Sequence, residues 1–442
     1  MIHQYKSSSK KQVYYIYLIA GLMIVVPACI SSKSSISSIG FFVAIVWILI
    51  KTRNLYAVTV FCLLMRFNSN LCEIPIIGMG FTLMPIVNLI LVVSMIGVKI
   101  RIIKTRRINL FLLVWALYIT INNAINSTFD INSILSQLVN FFIAIYFIDM
   151  VRRDEYYSSH LLAGVLAAVS LIILVGTIEI FAGRTFFYSL WRGGESVRYG
   201  MIRPGSTLAD PNFMALIICA FLFIWRSEIV KKIVGNRISS FYFALSFVVI
   251  AASGSRTTYF TLVLAILMIF LCKRQSRIIF ALPLLLVIIV VLPTIVNHVF
   301  FSVTDASSSA RIRIVVTALE LWSRNKVIGL GYGSFSSRSI VLTGQHFDTM
   351  NTYVQQLVDY GVVGLFFYLT YALILIYPNV MKILFGKELT SVRRNRSYCL
   401  ASVISWFSIS LSLDTFTLPL FWIYPAILTV LLNENKKDNG FE

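Results

Sequence analysis

The chain has 442 residues, of which 58% are hydrophobic and only 13% are charged, and its mean hydropathy is +0.84. A soluble domain carries about 25% charged residues, so this chain has too few charges to cover a surface in water. The composition excludes a soluble enzyme, a disordered protein and a fibrous protein. It predicts an all-α fold, a polytopic integral membrane helix bundle.

Apolar stretches long enough to cross the membrane recur along the whole chain. Crossing about 30 Å of hydrocarbon takes about 20 residues, and the second and third stretches are short enough to form a re-entrant pair, so we predict about 12 to 14 transmembrane helices. The predicted spans are 13–31, 36–50, 55–70, 80–98, 109–125, 132–150, 160–182, 211–225, 240–253, 257–272, 278–301, 351–378, 396–412 and 416–432.

Basic residues alternate between the predicted loops and set the orientation. Every predicted cytoplasmic segment holds at least two Lys or Arg residues, as the positive-inside rule requires. Both termini are then cytoplasmic, and residues 183–210 and 302–350 form two long extracytoplasmic loops. The net charge of +20 is explained by the cytoplasmic loops, so we expect no nucleic-acid partner.

Several arginines lie on the predicted outer side, where the same rule disfavours them. Arg203 lies in the first long loop, Arg311 in the second and Arg256 in a short turn between spans. Because a guanidinium binds phosphate in a two-pronged fork, these residues predict an anion site. Long loops also translocate regardless of charge, which is an alternative explanation for Arg311 but not for Arg256.

The first long loop ends in R-P-G-S-T-L-A-D-P-N at 203–212. Asp210 followed by Pro211 is typical of a helix N-cap with proline at the first helical position. This structural role does not exclude Asp210 or Asn212 from the site.

The second long loop contains A-R-I-R-I-V-V-T-A-L-E-L-W, which predicts an amphipathic helix that lies on the membrane or covers a cavity. Its predicted apolar face holds Ile312, Val315, Leu319 and Trp322. The following G-L-G-Y-G lacks the strand and helix of a dinucleotide site, so we exclude that interpretation.

A polar stripe follows on an otherwise apolar span. Asn351, Gln355 and Asp359 recur every four residues and therefore share one helix face. Polar groups within a span face the bundle interior or a water-filled cavity. They predict a site, with interhelical hydrogen bonding as the alternative.

Two further side chains are candidates for proton transfer. Glu179 lies near the outer end of its span, and His346 precedes the polar stripe. The sequence contains no D-x-D, H-E-x-x-H or P-loop motif. We therefore expect no metal, no cofactor and no nucleotide-driven transport.

Several of these motifs, in this order, resemble the O-antigen ligase/polymerase family of bacterial inner-membrane enzymes. They are RPGSTLADPNFMA, SGSRTTYFTL, ARIRIVVTALELW, GLGYGSF and MNTYVQQLVDYGVVGLFFYL. The resemblance covers about residues 160–380, which leaves N-terminal transmembrane helices in 1–159 and C-terminal transmembrane helices with a cytoplasmic tail in 381–442.

The resemblance also implies roles for individual residues. Arg256 is similar to the family's span-end arginine, and Arg311 to the arginine that opens the loop helix. Asp210 and Asn212 match the family's D-P-N element. One position departs from the family: Met350 stands where ligases have the histidine expected to be catalytic. This favours the polymerase branch, usually called Wzy, over the WaaL-type ligase, although His346 is a possible substitute for that histidine.

The implied reaction joins two oligosaccharides carried on undecaprenyl pyrophosphate at the outer face of the inner membrane. Arginines at 203, 256 and 311 would stabilise the pyrophosphate leaving group, and Asn351 and Gln355 would contribute to substrate binding. The candidates for the general base that activates the sugar hydroxyl are Glu179, Asp210, His346 and Asp359.

The implied partners are the undecaprenyl-pyrophosphate-linked oligosaccharide, membrane lipids, and a chain-length regulator and flippase of the same pathway. Two other functions remain open: a ligase that transfers the glycan to lipid A-core, and a flippase or other transporter. A transporter usually places its charges within the spans, whereas the arginines here concentrate in the loops.

Overall fold

The computed structural model describes twelve segments of the chain, and helices dominate them. The described segments are 10–30, 35–68, 71, 74–76, 82–96, 106–126, 131–187, 196–198, 201–272, 306–343, 349–386 and 390–437.

The helices follow one another along the whole chain. They are α1 (Lys10–Ile30), α2 (Ser35–Thr52), α3 (Leu55–Phe67), α4 (Met84–Ile96), α5 (Arg106–Ile125), α6 (Ile131–Arg153), α7 (Glu155–Ala182), α8 (Pro211–Leu222), α9 (Glu228–Val234), α10 (Asn236–Ser253), α11 (Arg256–Leu271), α12 (Ala306–Trp322), α13 (Ser334–Thr343), α14 (Thr352–Phe385), α15 (Thr390–Ile409) and α16 (Pro419–Lys437). Two short strands, β1 (Val197–Arg198) and β2 (Met201–Ile202), pair antiparallel.

Five described helices, namely α1, α5, α7, α10 and α14, are long and apolar enough to cross a membrane. A sixth candidate combines Pro211–Arg226, which begins with α8, and α9, and the two parts meet at a bend of 91°. Shorter apolar helices are α2, α3, α4, α11 and α16. Each predicted span overlaps one helix, except 278–301, which lies outside the described residues. The all-α polytopic class is confirmed, while the number of spans and their orientation stay predictions.

The chain forms two compact units. Unit 1 comprises residues 1–104, 142–258 and 418–442, and unit 2 comprises residues 105–141 and 259–417. Each unit thus combines segments that are distant in the sequence, and the predicted division of the chain at 160 and 380 stays a prediction.

Helix α7 is the centre of unit 1, and most of its residues are buried. Glycines let α1 and α3 approach α7 closely. A Cβ on Gly21 of α1 would lie only 2.2 Å from Leu171 of α7, so a larger residue there would clash. Likewise, a Cβ on Gly164 of α7 would lie 2.5 Å from Val60 of α3. Helix α7 ends at Gly183, whose φ of +63° is the left-handed conformation that glycine adopts without strain.

Helices α12 and α14 pack together in unit 2 through a face of α12 that differs from the predicted one. Ile314, Ala318 and Leu321 are buried against α14, with Val315 and Trp322 partly buried beside them. Ile312 and Leu319 of the predicted apolar face are 53% and 40% exposed, so they do not pack against α14, and the contact of that face with the membrane stays a prediction. The helix has apolar residues on two faces, and periodicity alone did not distinguish the face that packs against α14.

Candidate functional site

The carboxylate of Glu179 holds the loop that follows α7. Its Oε1 accepts a hydrogen bond from the backbone N–H of Phe186 at 2.7 Å. Its Oε2 accepts from the N–H groups of Gly205 and Ser206 at 2.9 and 2.8 Å. Glu179 is fully buried, so this arrangement suits an anchor for the R-P-G-S turn. Its assignment as the general base stays a prediction.

Arg203 connects that turn to two other segments of unit 1. Its Nε donates to the carbonyl oxygen of Ser253 at 2.5 Å, and its Nη2 donates to Oδ1 of Asn212 at 3.0 Å. The structure therefore brings together the R-P-G turn, the D-P-N element and the S-G-S-R turn. Arg256 is half-buried at the first position of α11, three residues after Ser253.

Asp210 is the N-cap of α8, as the sequence predicted. Its Oδ1 accepts from the backbone N–H groups of Asn212 and Phe213 at 2.7 and 3.2 Å. Pro211 occupies the first helical position. The preceding residue, Ala209, has a φ of +48°, a conformation that costs about 1–2 kcal/mol for a residue with a Cβ. The contacts on both sides of the turn therefore fix a strained backbone.

Unit 2 contains a broken helix. Helix α14 departs from helical geometry at Gly361, where φ is +67° and ψ is −165°. The segment 326–331, which includes the first glycines of G-L-G-Y-G, runs past this break and supplies hydrogen bonds on both sides of it. The N–H to carbonyl pairs are Leu330 to Val358 (2.8 Å), Gly331 to Asp359 (2.9 Å), Val362 to Lys326 (3.0 Å) and Val363 to Val327 (3.3 Å).

The close approach at this break explains two glycines of the sequence. A Cβ on Gly361 would lie 2.1 Å from the carbonyl oxygen of Val327, and a Cβ on Gly329 would lie 2.5 Å from the nitrogen of Gly361. Tyr118 of α5 completes the pairing, because its hydroxyl donates to the carbonyl oxygen of Tyr360 at 2.5 Å. The glycine string therefore fills a gap in α14, which is a structural role within unit 2.

The start of α14 is hydrogen-bonded to the connection between α15 and α16. Asn351 caps the helix by accepting from the N–H of Tyr353 at 3.0 Å, and its Nδ2 donates to the carbonyl oxygen of Leu411 at 2.8 Å. The hydroxyl of Thr352 donates to the carbonyl oxygen of Leu413 at 2.8 Å and accepts from the N–H of Thr415 at 2.9 Å.

The polar stripe meets a carboxylate in the same connection. The side-chain amide of Gln355 faces the carboxylate of Asp414, which can only accept hydrogen bonds, so the amide is assigned with its nitrogen on that side. In this swapped orientation the nitrogen donates to Asp414 Oδ1 at 2.6 Å and to Oδ2 at 3.2 Å. Asp359, one turn further along α14, is only 1% exposed. Among the described residues, Asp359 Oδ1 and both side-chain polar atoms of Gln356 are buried without a hydrogen-bond partner.

The predicted site residues thus fall into two groups. Unit 1 contains Glu179, Arg203, Asp210, Asn212 and Arg256.

Unit 2 contains Arg311, half-buried on α12, together with Asn351, Gln355 and Asp359 on α14. His346 lies outside the described residues. Within the part of the chain that the structure describes, no group of three or more His, Cys, Asp or Glu side chains could hold a metal ion.

Sequence reasoning missed Asp414. Its partner Gln355 is distant in the sequence, and no spacing rule connects the two residues. One signal was present, because the predicted outer segment 413–415 contains a carboxylate and no Lys or Arg.

A comparison with protein families gives a match to part of the chain. Residues 241–369 match the family described as O-Antigen ligase. This match supports the O-antigen ligase/polymerase family, whose members are glycosyltransferase-like enzymes of polysaccharide processing. It is narrower than the predicted stretch 160–380, and it covers Arg256, Arg311 and the polar stripe of α14 but not Glu179 or Arg203. No curated protein matches the chain.

Proposed function

We propose that the protein is a surface-polysaccharide polymerase of the O-antigen type at the outer face of the bacterial inner membrane. It transfers the growing glycan from undecaprenyl pyrophosphate to the next lipid-linked repeat unit. The match of residues 241–369 to the O-antigen ligase family supports the reaction class.

We favour a polymerase over a ligase because residue 350 is a methionine. This residue directly precedes the N-cap Asn351, is 45% exposed and has a φ of +46°. It occupies the position of the histidine expected in ligases. A thioether is only a weak hydrogen-bond acceptor and cannot take a proton from a sugar hydroxyl, so the chain lacks the ligase's expected base at this point.

The arginines supply the charge that the reaction needs. When the anomeric carbon–oxygen bond breaks, negative charge develops on the pyrophosphate that leaves. We expect Arg256 and Arg311, the two arginines that match those of the family, each to stabilise that charge. Arg203 orients Asn212 and the Ser253 carbonyl, which fixes the turn that leads into Arg256.

The glycan ladder on lipopolysaccharide from cells lacking this protein tests the proposal. We expect lipid A-core carrying a single repeat, because the ligase of the cell still attaches unpolymerised units. Bare core with polymer retained on undecaprenyl pyrophosphate would identify a ligase. Bare core with single lipid-linked repeats retained on the cytoplasmic side would identify a flippase. Expression of the intact protein should restore the ladder in each case.

A further inference from the structure

The proposed polymerase needs a group that accepts the proton of the attacking sugar hydroxyl, and that group must be within reach of a glycan. Glu179 and Asp359 are 0% and 1% exposed, so neither can contact a sugar as they stand. Glu179 also accepts three backbone hydrogen bonds that hold a loop. In this conformation neither carboxylate is placed to accept a proton from a sugar hydroxyl, and their assignment as the general base stays a prediction.

Asp414 meets this requirement. It is half-buried in the connection between α15 and α16, which the charge pattern places on the outer side. Its Oδ1 accepts from the backbone N–H of Phe416 at 3.1 Å, and its Oδ2 accepts from the hydroxyl of Thr417 at 3.3 Å. With the side-chain amide of Gln355 swapped to the orientation that gives it a donor here, its nitrogen lies 2.6 Å from Oδ1. These donors fix the direction of the carboxylate, and each of them is uncharged.

The backbone around Asp414 is held as firmly as the carboxylate. The N–H of Thr352 donates to the carbonyl oxygen of Ser410 at 2.9 Å, and the hydroxyl groups of Ser410 and Thr415 lie 2.7 Å apart. The hydroxyl of Thr352 also donates to Leu413 and accepts from the N–H of Thr415, and together these contacts fix the connection to the first turn of α14. A catalytic group needs such support, because a displacement of about 1 Å reduces its efficiency.

We propose that Asp414 is the catalytic carboxylate that accepts the proton of the acceptor hydroxyl, with Gln355 as its positioning residue. This inference rests on the proposed polymerase function. The hydroxyl oxygen forms the new bond to the anomeric carbon of the donor glycan, and its proton passes to Asp414. The bond from that carbon to undecaprenyl pyrophosphate breaks, the pyrophosphate leaves with the electron pair, and Asp414 later releases the proton to water.

The test uses the full chain reconstituted in liposomes with an undecaprenyl-pyrophosphate-linked repeat. We expect Asp414→Asn to lower the polymerisation rate by about 10²-fold or more, the size expected for loss of a general base. Its thermal unfolding in detergent should match that of the intact protein. Glu320→Gln is the matched control, because Glu320 is an exposed carboxylate of unit 2 and should leave the rate unchanged.

Chemical rescue separates catalysis from structure. Added formate, a small carboxylate, should restore part of the rate of Asp414→Ala and have no effect on Arg311→Ala. A polymerisation rate for Asp414→Asn within about threefold of the intact protein would overturn the inference and leave the polymerase proposal standing. Failure of formate to rescue Asp414→Ala would overturn it as well. An intact protein that forms no polymer would overturn the proposed function, and the inference with it.

Discussion

Replacing Glu179 by glutamine should destabilise the protein, because its carboxylate accepts three backbone N–H groups. The glutamine oxygen can replace Oε2 and keep the bonds from Gly205 and Ser206. The amide NH₂ then faces the N–H of Phe186, which loses its 2.7 Å bond. One buried donor left unsatisfied costs about 1–3 kcal/mol, and two bonds to a neutral oxygen are each weaker by about 1 kcal/mol. We expect Glu179→Gln to cost roughly 3–5 kcal/mol.

Thermal unfolding of the detergent-solubilised protein measures this cost. A loss of this size should lower the unfolding temperature by about 3–5 °C, since the unfolding entropy is about 2 cal/mol/K per residue. Glu155→Gln, on the same helix, is the matched control. Glu155 is partly exposed and pairs with Lys10 at 2.8 Å, and a surface ion pair contributes at most about 1 kcal/mol, so that variant should unfold within about 2 °C of the intact protein.

The two roles considered for Glu179 predict opposite results. An anchor lowers the unfolding temperature and loosens the turn at residues 203–206, which limited proteolysis should detect. A general base reduces polymer formation and leaves stability unchanged. A Glu179→Gln protein that unfolds at the normal temperature, while its lipopolysaccharide carries single repeats, would refute the anchoring argument.

Three further predictions follow from the arginines, the topology and the broken helix. Arg256→Lys and Arg311→Lys should shorten the glycan ladder almost as severely as the alanine variants at the same positions, because lysine lacks the planar fork. Arg324→Ala, at an exposed position, should have a mild effect. Normal ladders from both lysine variants would exclude a pyrophosphate site. A cysteine introduced at Ser196 should react with an impermeant thiol reagent in intact spheroplasts. Protection of that cysteine would contradict the predicted extracytoplasmic side of residues 183–210. Gly361→Ala should prevent folded protein from accumulating, as immunoblots of membranes would show, since its Cβ would lie 2.1 Å from a carbonyl oxygen. A normal amount of protein would show that the backbone at the break can move to accept a Cβ.

Hydropathy and cap residues predicted much of the fold. The apolar runs located the helices because a span must be apolar over most of its length. The N-cap at Asp210 was predictable because capping depends on residues that are adjacent in the sequence. The exposed and buried faces of α12 were not, because both contain aliphatic residues and only packing against α14 distinguishes them.

The candidate site was predictable in its charges and less so in its contacts. Arg256 was predicted because a basic residue in a short outer turn opposes the positive-inside rule, and Arg311 because it matches an arginine of the family; the roles of both stay predictions. The role of Glu179 was hidden, because its partners are backbone N–H groups, which every residue except proline has. Asp414 was missed because its contact with Gln355 forms only when distant segments of unit 2 pack together.

The break at Gly361 sets a condition on how the chain enters the membrane. Residues 326–331 are synthesised before α14, and the backbone groups at the break are satisfied only once this segment lies beside them. Unsatisfied backbone groups in hydrocarbon cost several kcal/mol each, so α14 should enter the bilayer as one uninterrupted helix and bend only afterwards. The bend therefore forms only when residues 326–331 pack against α14, so it belongs to the assembly of unit 2 and follows membrane insertion.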